Sequence, residues 1–326
     1  MDGDRAGLLE RLLNGVSGKV SVIGSMNADY SIRVKHLPHP GETVRGDEIK
    51  LTPGGKSANQ AVCAATLGAD VMMVGVIGRD SNAEFLMTSL GEAGVDTRFV
   101  RRCDAPTAAT LIVVDAAGEN TIAYSPGSND LLTPALVGEC ARSLCMTSVL
   151  GLCLESPLPA VVEGARVCHD HGVEVLLNCS PLSGKLPHEL VDAADVFLFN
   201  EQEFFDCTGL KRPHGDDSAR YDWDDLASTA ADLGFDRLIV TLGARGSVVV
   251  DGGSCVHIDP YHVVPTDTTG CGDAFMGTIL AGLASGYSLA ESAEMASAVS
   301  AFAATRMGAQ PSYGTANEVL GALGMR

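Results

Sequence analysis

The chain has 326 residues, 46% of them hydrophobic, so it can bury one large α/β core or two smaller ones. Its 22 Lys and Arg against 41 Asp and Glu give a formal net charge of −19, which argues against nucleic acid as a partner, because affinity for a polyanion rests on clustered basic residues. No apolar run approaches the ~20 residues that span a bilayer, and ten cysteines without a CxxC pair or a zinc-like ladder read as reduced thiols, which points to a cytoplasmic setting.

In chain order, residues 1–18 form an N-terminal extension: MDGDRAGLLERLLNG carries a stripe of Leu8, Leu9, Leu12 and Leu13 and lacks the basic start and long apolar run of a signal peptide. Nearly continuous apolar runs then recur at 20–25, 71–78, 148–155, 173–178, 196–200, 237–243 and 247–252. Stretches with helical spacing, such as SANQAVCAATLG and LPAVVEGARVCHDHG, lie between most of them. Buried strands alternating with helices predict an α/β fold with a mostly parallel central sheet flanked by helices, over residues 19–326. Segments 30–53 and 98–125 break the rhythm. They alternate polar and apolar residues, turn at Pro40-Gly41 and Ala117-Gly118, and lack an immediate crossover helix, so they predict a small antiparallel sheet acting as a lid. The polar run at 213–225 reads as a solvated loop, and Gly272 through Arg306 as helical.

Directly after the first strand, GSMNADY (24–30) sets Asn27 and Asp29 two apart, facing the same way in an extended chain, at a strand end where open α/β sheets bind ligands. An amide beside a carboxylate suits sugar hydroxyls, which both donate and accept; a polar turn capping the strand accounts for the same residues. In LTPGGKSANQAVCAATLGA (51–69), Gly54 and Gly55 make a tight turn, and Lys56 and Asn59 share a face of the helix that follows. This is not a Walker loop, which needs glycine where Lys50 stands, and the Rossmann fingerprint fails at Phe275. Asn200 and Glu203 fit either an N-terminal capping pair or a water-mediated contact with phosphate-bound Mg²⁺. TLGARG (241–246) fits either a turn between strands or a backbone lying against a nucleotide. His169 with His171, and His257 with His262, lack further ligands at metal-binding spacing.

The strongest stretch is DTTGCGDAFMGTILAGL (267–283), polar and glycine-rich before an apolar helix. It predicts free N–H groups at Thr269 to Gly272, where the helix dipole also favours an anion. Asp273 stands in the same first turn, as a general base or as an ordinary helix-start acid. The dipole is expected to lower its pKa, which phosphoryl transfer tolerates because the acceptor loses its proton late. An acidic surface repels a nucleotide at long range, so an ATP site must supply such donors locally.

DTTGCGDAF and GGKSANQA, in this order and separation, resemble the two signatures of the ribokinase family, also called the phosphofructokinase B family of carbohydrate kinases. The likeness runs from about Lys19 to Val319, and GSMNADY, PGETV (40–44), LES (154–156) and GAQPS (308–312) resemble its ribokinase branch. The resemblance implies a sheet-and-helix kinase with a β lid closing over the sugar, pairing as a homodimer through the lid. It implies ATP-dependent phosphorylation of a sugar, ribose being the expected acceptor. Another sugar or a nucleoside is the alternative within the family, and a sugar-binding regulator without catalysis the alternative outside enzymes. Carried over, Asn27, Asp29, Gly55, Lys56, Asn59 and Glu155 would hold the sugar, with Asp273 as base and Gly270, Cys271 and Gly272 as the anion hole. Asn200, Thr241, Gly243, Gly246, Gly272 and Ser297 would line the nucleotide side, and Glu203 would support Mg²⁺. A monovalent cation, K⁺, would lie by Asp267 and Thr269 with Ala303, Arg306, Gly308 and Ser312. Two departures stand out: Cys271 where Ala or Gly is usual, expected to add sensitivity to oxidation, and Ser57 where Gly is common, expected to alter the sugar pocket.

Overall fold

Each apolar run picked out in the sequence is a strand, and the strands assemble as their near-continuous hydrophobicity requires, buried on both faces. The computed structural model describes residues 3–182, 184–212 and 221–325. Its strands are β1 (Lys19–Ile23), β2 (Asn27–Arg33), β3 (Lys50–Gly54), β4 (Asp70–Ile77), β5 (Asp96–Arg102), β6 (Ala109–Val114), β7 (Asn120–Ser125), β8 (Val149–Cys153), β9 (Glu174–Asn178), β10 (Val196–Asn200), β11 (Arg237–Thr241), β12 (Ser247–Asp251) and β13 (Ser254–Ile258). Nine form one sheet in the order β13-β12-β11-β10-β9-β8-β1-β4-β5. It is parallel from β5 to β11, and β12 and β13 close one edge antiparallel.

Alternation along each strand feeds two cores, one per face. Val71 and Met73 of β4 and Val196 and Leu198 of β10 pack with the helices Lys56–Leu67, Cys271–Ala284 and Leu289–Ala304. Their neighbours Met72, Val74, Phe197 and Phe199 pack on the other face, with the helices Leu158–His169, Glu201–Thr208 and Trp223–Ala231. The N-terminal extension is a helix, Gly3–Asn14, whose Leu9, Leu12 and Leu13 are buried in the first of these cores. Among the described residues no helix is long and apolar enough to cross a membrane.

The second sheet, in the order β3-β2-β6-β7, is the expected lid, with two corrections. The segment 98–125 is not all lid: Asp96–Arg102 is β5, the outer strand of the large sheet, parallel to β4. Its alternation reflects a half-exposed edge, where charged residues such as Arg98 and Arg101 keep the rim from pairing further. Nor is the lid purely antiparallel, because β2 pairs with β6 in parallel. β2 follows β1 and β6 follows β5, two strands that run the same way, so the chain enters the lid twice in one direction. The turn at 117–118 is the β6–β7 hairpin, where the Gly118 N–H donates to the Asp115 carbonyl. The expected loop at 213–225 falls partly outside the described residues, at 213–220. Its described end is ordered otherwise: Tyr221 is buried against Phe205 and Trp223, and Asp222 caps the helix Trp223–Ala231 through the Asp225 N–H. Two aromatic anchors hidden in a polar run explain the difference.

Candidate active site

The strand order reverses at β1, which has β4 on one side and β8 on the other. Loops leaving neighbouring strands at such a point diverge and open a crevice. Here the loop after β1 carries Ser25 and leads into Asn27, the first residue of β2, and the loop after β8 carries Glu155. Glu155 Oε2 accepts from the Ser25 hydroxyl at 2.5 Å, from the Lys56 N–H at 2.9 Å and from Asn27 Nδ2 at 3.5 Å. Gly55, at φ 91°, turns the chain here so tightly that a Cβ would stand 2.8 Å from the Asn27 nitrogen and the Ser25 oxygen. Asn27 Oδ1 accepts from Asn129 Nδ2 at 2.8 Å, and Asn129 Nδ2 also reaches the Tyr124 hydroxyl of the lid at 3.1 Å. Asp29 accepts from the Thr110 hydroxyl across the β2–β6 pair. Burial pushes its pKa up to about 6 against the lowering effect of Thr110, with Glu155 and Asp273 adding to the rise.

Asp273 is 7% exposed in the first turn of Cys271–Ala284, and both its oxygens are held by amides of the facing helix. Asn59 Nδ2 donates to Oδ2 at 2.9 Å and Gln60 Nε2 to Oδ1 at 3.2 Å. The expected lowering of its pKa by the helix dipole is overturned. Burial raises it, outweighing Lys56, Asn59 and Gln60, because the desolvation of a carboxylate exceeds the effect of a partial charge at a helix end. Lys56 behaves in the complementary way: burial would lower its pKa, yet Asp273 and Glu155 raise it. Asn59 is itself oriented by Gln310 Nε2 at 3.0 Å, and Gln310 by the Ser89 hydroxyl at 2.9 Å.

Gly270 takes a left-handed φ of 77° as the N-cap of the Asp273 helix. Ala274 N–H is the first to enter the helical pattern, on the Gly270 carbonyl, whereas the Cys271 N–H donates to the Thr268 carbonyl at 3.2 Å. The expected anion hole is therefore partly closed on itself here, by one long bond of the turn. Ser57 is fully buried, its hydroxyl donating to the Ile23 carbonyl at 3.3 Å beside Cys153 Sγ at 3.2 Å, while its N–H donates to the Ser25 hydroxyl at 3.4 Å and so touches the Glu155 cluster from behind.

Two cavities meet at Thr241 and Gly272. One, of about 210 Å³, is lined by Lys56, Asn178, Asn200, Glu203, Gly270 and Asp273. The other, of about 340 Å³, is lined by Gly243, Gly246, Tyr261, Cys271, Phe275 and Ser297, a largely apolar wall with a few polar groups. Asn200 and Glu203 do form a reciprocal capping box, at 2.8 and 2.9 Å, and also face the first cavity; the Glu203 Oε1 stays outside the cap. TLGARG is likewise both the β11–β12 turn and a cavity wall.

Asp267 accepts from the Thr269 N–H and the Gly308 N–H, each at 2.9 Å. Burial would raise its pKa, but these two N–H groups hold it below the ordinary carboxylate value. Its own N–H donates to the Ala304 carbonyl at the end of Leu289–Ala304, so the carboxylate lies by carbonyls at a negative helix end. Arg306 turns its guanidinium over the Phe302 ring, and the Ala303 carbonyl accepts from the Arg306 N–H. Ser312 is buried, and its hydroxyl donates to the Ala309 carbonyl, which leaves the oxygen's lone pairs uncommitted by that bond.

Sequence reasoning missed Gln60, Asn129, Thr110 and Tyr124 and quoted Gln310 only within GAQPS. A signal existed for Gln60, the second of two adjacent amides in a helix of Ala, Val and Cys.

Residues 17–316 match the profile of the pfkB family carbohydrate kinases. The ribokinase of Haemophilus influenzae is 33% identical over 302 residues, covering 92% of this chain and 97% of that protein. The deoxyribokinase of Salmonella typhi is 30% identical over 295 residues, covering 90% and 95%. The solved Arabidopsis thaliana ribokinase complexed with ribose and ATP shares the fold with a TM-score of 0.86 at 27% identity, over 94% of this chain and 99% of that one.

Proposed function

Because the chain belongs to the pfkB family of carbohydrate kinases, we propose that it transfers the γ-phosphoryl group of ATP to the 5-hydroxyl of ribose, with Asp273 as the base. The observation that carries this assignment is the place of Asp273: at a glycine-bounded helix start, between the polar cluster around Glu155 and the cavities at Thr241 and Gly272. Asn27, Asp29, Gly55, Lys56, Asn59 and Glu155 bind the sugar, and Thr241, Gly243, Gly246 and Ser297 line the nucleotide. The acceptor hydroxyl gives its proton to Asp273 as its oxygen bonds to phosphorus and ADP leaves. A carboxylate whose pKa is raised by burial is a better acceptor for that proton than one in water. Lys56, kept protonated, faces the charge that develops. The N–H groups of Gly270, Cys271 and Gly272 stabilise the transferring group once the phosphate competes Cys271 away from Thr268.

Mg²⁺ fits beside Asn200 and Glu203, whose cap leaves one carboxylate oxygen for a water-mediated contact, and it would neutralise phosphate charge. K⁺ fits beside Asp267 and Thr269 with the carbonyls of Ala303, Arg306 and Gly308, an acid at a negative helix end. All ten cysteines are free, which supports a reducing, cytoplasmic setting. Exposed Ile49, Leu111 and Ile122 on the lid support pairing with a second copy there. The likeness to a deoxyribokinase favours 2-deoxyribose as the second candidate acceptor.

ADP release measured with ribose, 2-deoxyribose, fructose and adenosine, with and without K⁺, tests the assignment. Ribose should give the highest kcat/KM, K⁺ should raise it, and Asp273→Asn should lose about 10²–10⁴-fold in kcat with sugar binding retained. A higher value for another acceptor moves the substrate and leaves the chemistry. No turnover with any of them overturns it.

A further inference from the structure

The N-terminal helix reaches the larger cavity through one side chain. Arg5 Nη2 donates to the Asp259 carbonyl at 2.6 Å, and Nε and Nη2 donate to the Glu294 carboxylate at 2.6 and 3.2 Å. The guanidinium lies over the Tyr261 ring, 4.2 Å from its centroid. Two groups of the cavity wall share these acceptors. The Tyr261 hydroxyl donates to Glu294 Oε1 at 2.5 Å, and the Ser297 hydroxyl donates to the Asp259 carbonyl at 3.2 Å. Tyr261, Ser297 and the intervening Pro260 all face the cavity. The segment is anchored on its other side by β13, whose Ile258 pairs with Ser247 beside Gly246 of the same wall.

We infer that Arg5 is a positioning residue for the nucleotide: it fixes the Asp259–Tyr261 wall and so lets a segment before the first strand set nucleotide affinity. This rests on a nucleotide occupying that cavity, as in the proposed reaction. Glu294 is 9% exposed, and a buried carboxylate that loses its cation shifts toward other donors or toward water. Either response moves Tyr261, which shares the carboxylate. The helix does not depend on Arg5 for its place, since Leu9, Leu12 and Leu13 are buried and the Leu12 carbonyl accepts from the Tyr287 hydroxyl.

Titration calorimetry with ADP and no sugar isolates nucleotide affinity. Arg5→Ala should raise the Kd for ADP about tenfold and the KM for ATP with it, leaving kcat and the KM for ribose within about twofold. Arg5→Lys, which keeps a charge for Glu294, should recover part of the loss. Arg11→Ala, which removes only the outer pair with Glu291 at 3.5 Å, should match the parent. If Arg5→Ala melts below the assay temperature, Glu294→Gln tests the same clamp from the other side and should also weaken ADP. Unchanged ADP affinity in the folded variants, or a KM for ribose that rises as much as that for ATP, overturns the assignment. A parent chain that binds ADP yet phosphorylates no sugar overturns the proposed reaction and leaves Arg5 to be decided by the titration.

Discussion

Two carboxylates at this site have pKa values raised by burial, with different consequences. For Asp273 the rise makes a better base, whereas for Asp29, at about 6, it places ionisation inside the working range. In the proposed sugar site an ionised Asp29 would accept hydroxyls through charge-assisted bonds, and a protonated one only weakly. The KM for ribose should therefore be level at alkaline pH and rise as pH falls through about 6, and Asp29→Asn should remove the inflection. The same shift has a sign for stability. The folded state holds this proton more tightly than the unfolded chain, so the stability it contributes is full below about pH 4 and is lost as pH rises through the folded value. Without sugar at pH 8, Asp29→Asn should be more stable by on the order of 1–2 kcal/mol, discounted for partial exposure, by urea unfolding. Parallel pH profiles for both proteins would sink the assignment. Asn27, Asp29, Lys56, Asn59 and Asp273 were legible because each stands in a local pattern of turn, strand end or helix start. Thr110 and Asn129 were not, because their partners Asp29 and Asn27 lie 81 and 102 residues away: the β2–β6 pairing brings Thr110 to Asp29, and the turn Gly127–Leu131 after β7 brings Asn129 to Asn27.

The helices Lys56–Leu67 and Cys271–Ala284 form the element that holds the proposed base, one supplying Asn59 and Gln60 and the other Asp273. They approach closely because Gly277 has no side chain: a Cβ there would stand 2.5 Å from the Gln60 carbonyl and 2.7 Å from Cys63 Cβ. Gly277→Ala should therefore cost roughly 1–3 kcal/mol, as overpacking does. By shifting the helix that carries both amides it should also lower kcat more than it raises the KM for ATP. Denaturation together with steady-state kinetics separates the two effects, and a destabilised variant with the parent's kcat would show that the amides do not tune Asp273. At this scale strands were legible wherever burial on both faces left an unbroken apolar run. β5 was misplaced because an outer strand of the large sheet, like the lid strands β6 and β7, has no fully buried residue and so carries charged residues in place of an unbroken apolar run.

For the molecule as a whole, the leucine stripe of the extension announced an amphipathic helix, but its docking against Leu289–Ala304 depends on surfaces more than 270 residues away and had no local sign. Net charge is different, since it is fully legible and acts at long range. At −19 the surface repels a nucleotide polyanion, while the groups proposed to attract it, Lys56 and the helix start at Gly270, are confined to a crevice. The repulsion is screened within a Debye length, about 30 Å at 0.01 M salt and 8 Å at 0.15 M, whereas the buried contacts are screened far less. Raising ionic strength over that range with tetramethylammonium chloride, at fixed K⁺ and Mg²⁺, should raise kcat/KM for ATP by roughly two- to tenfold. The value for ribose, which is neutral, should stay level. A kcat/KM for ATP that falls with salt would mean that the crevice's positive groups, and not the acidic surface, govern the approach of the nucleotide.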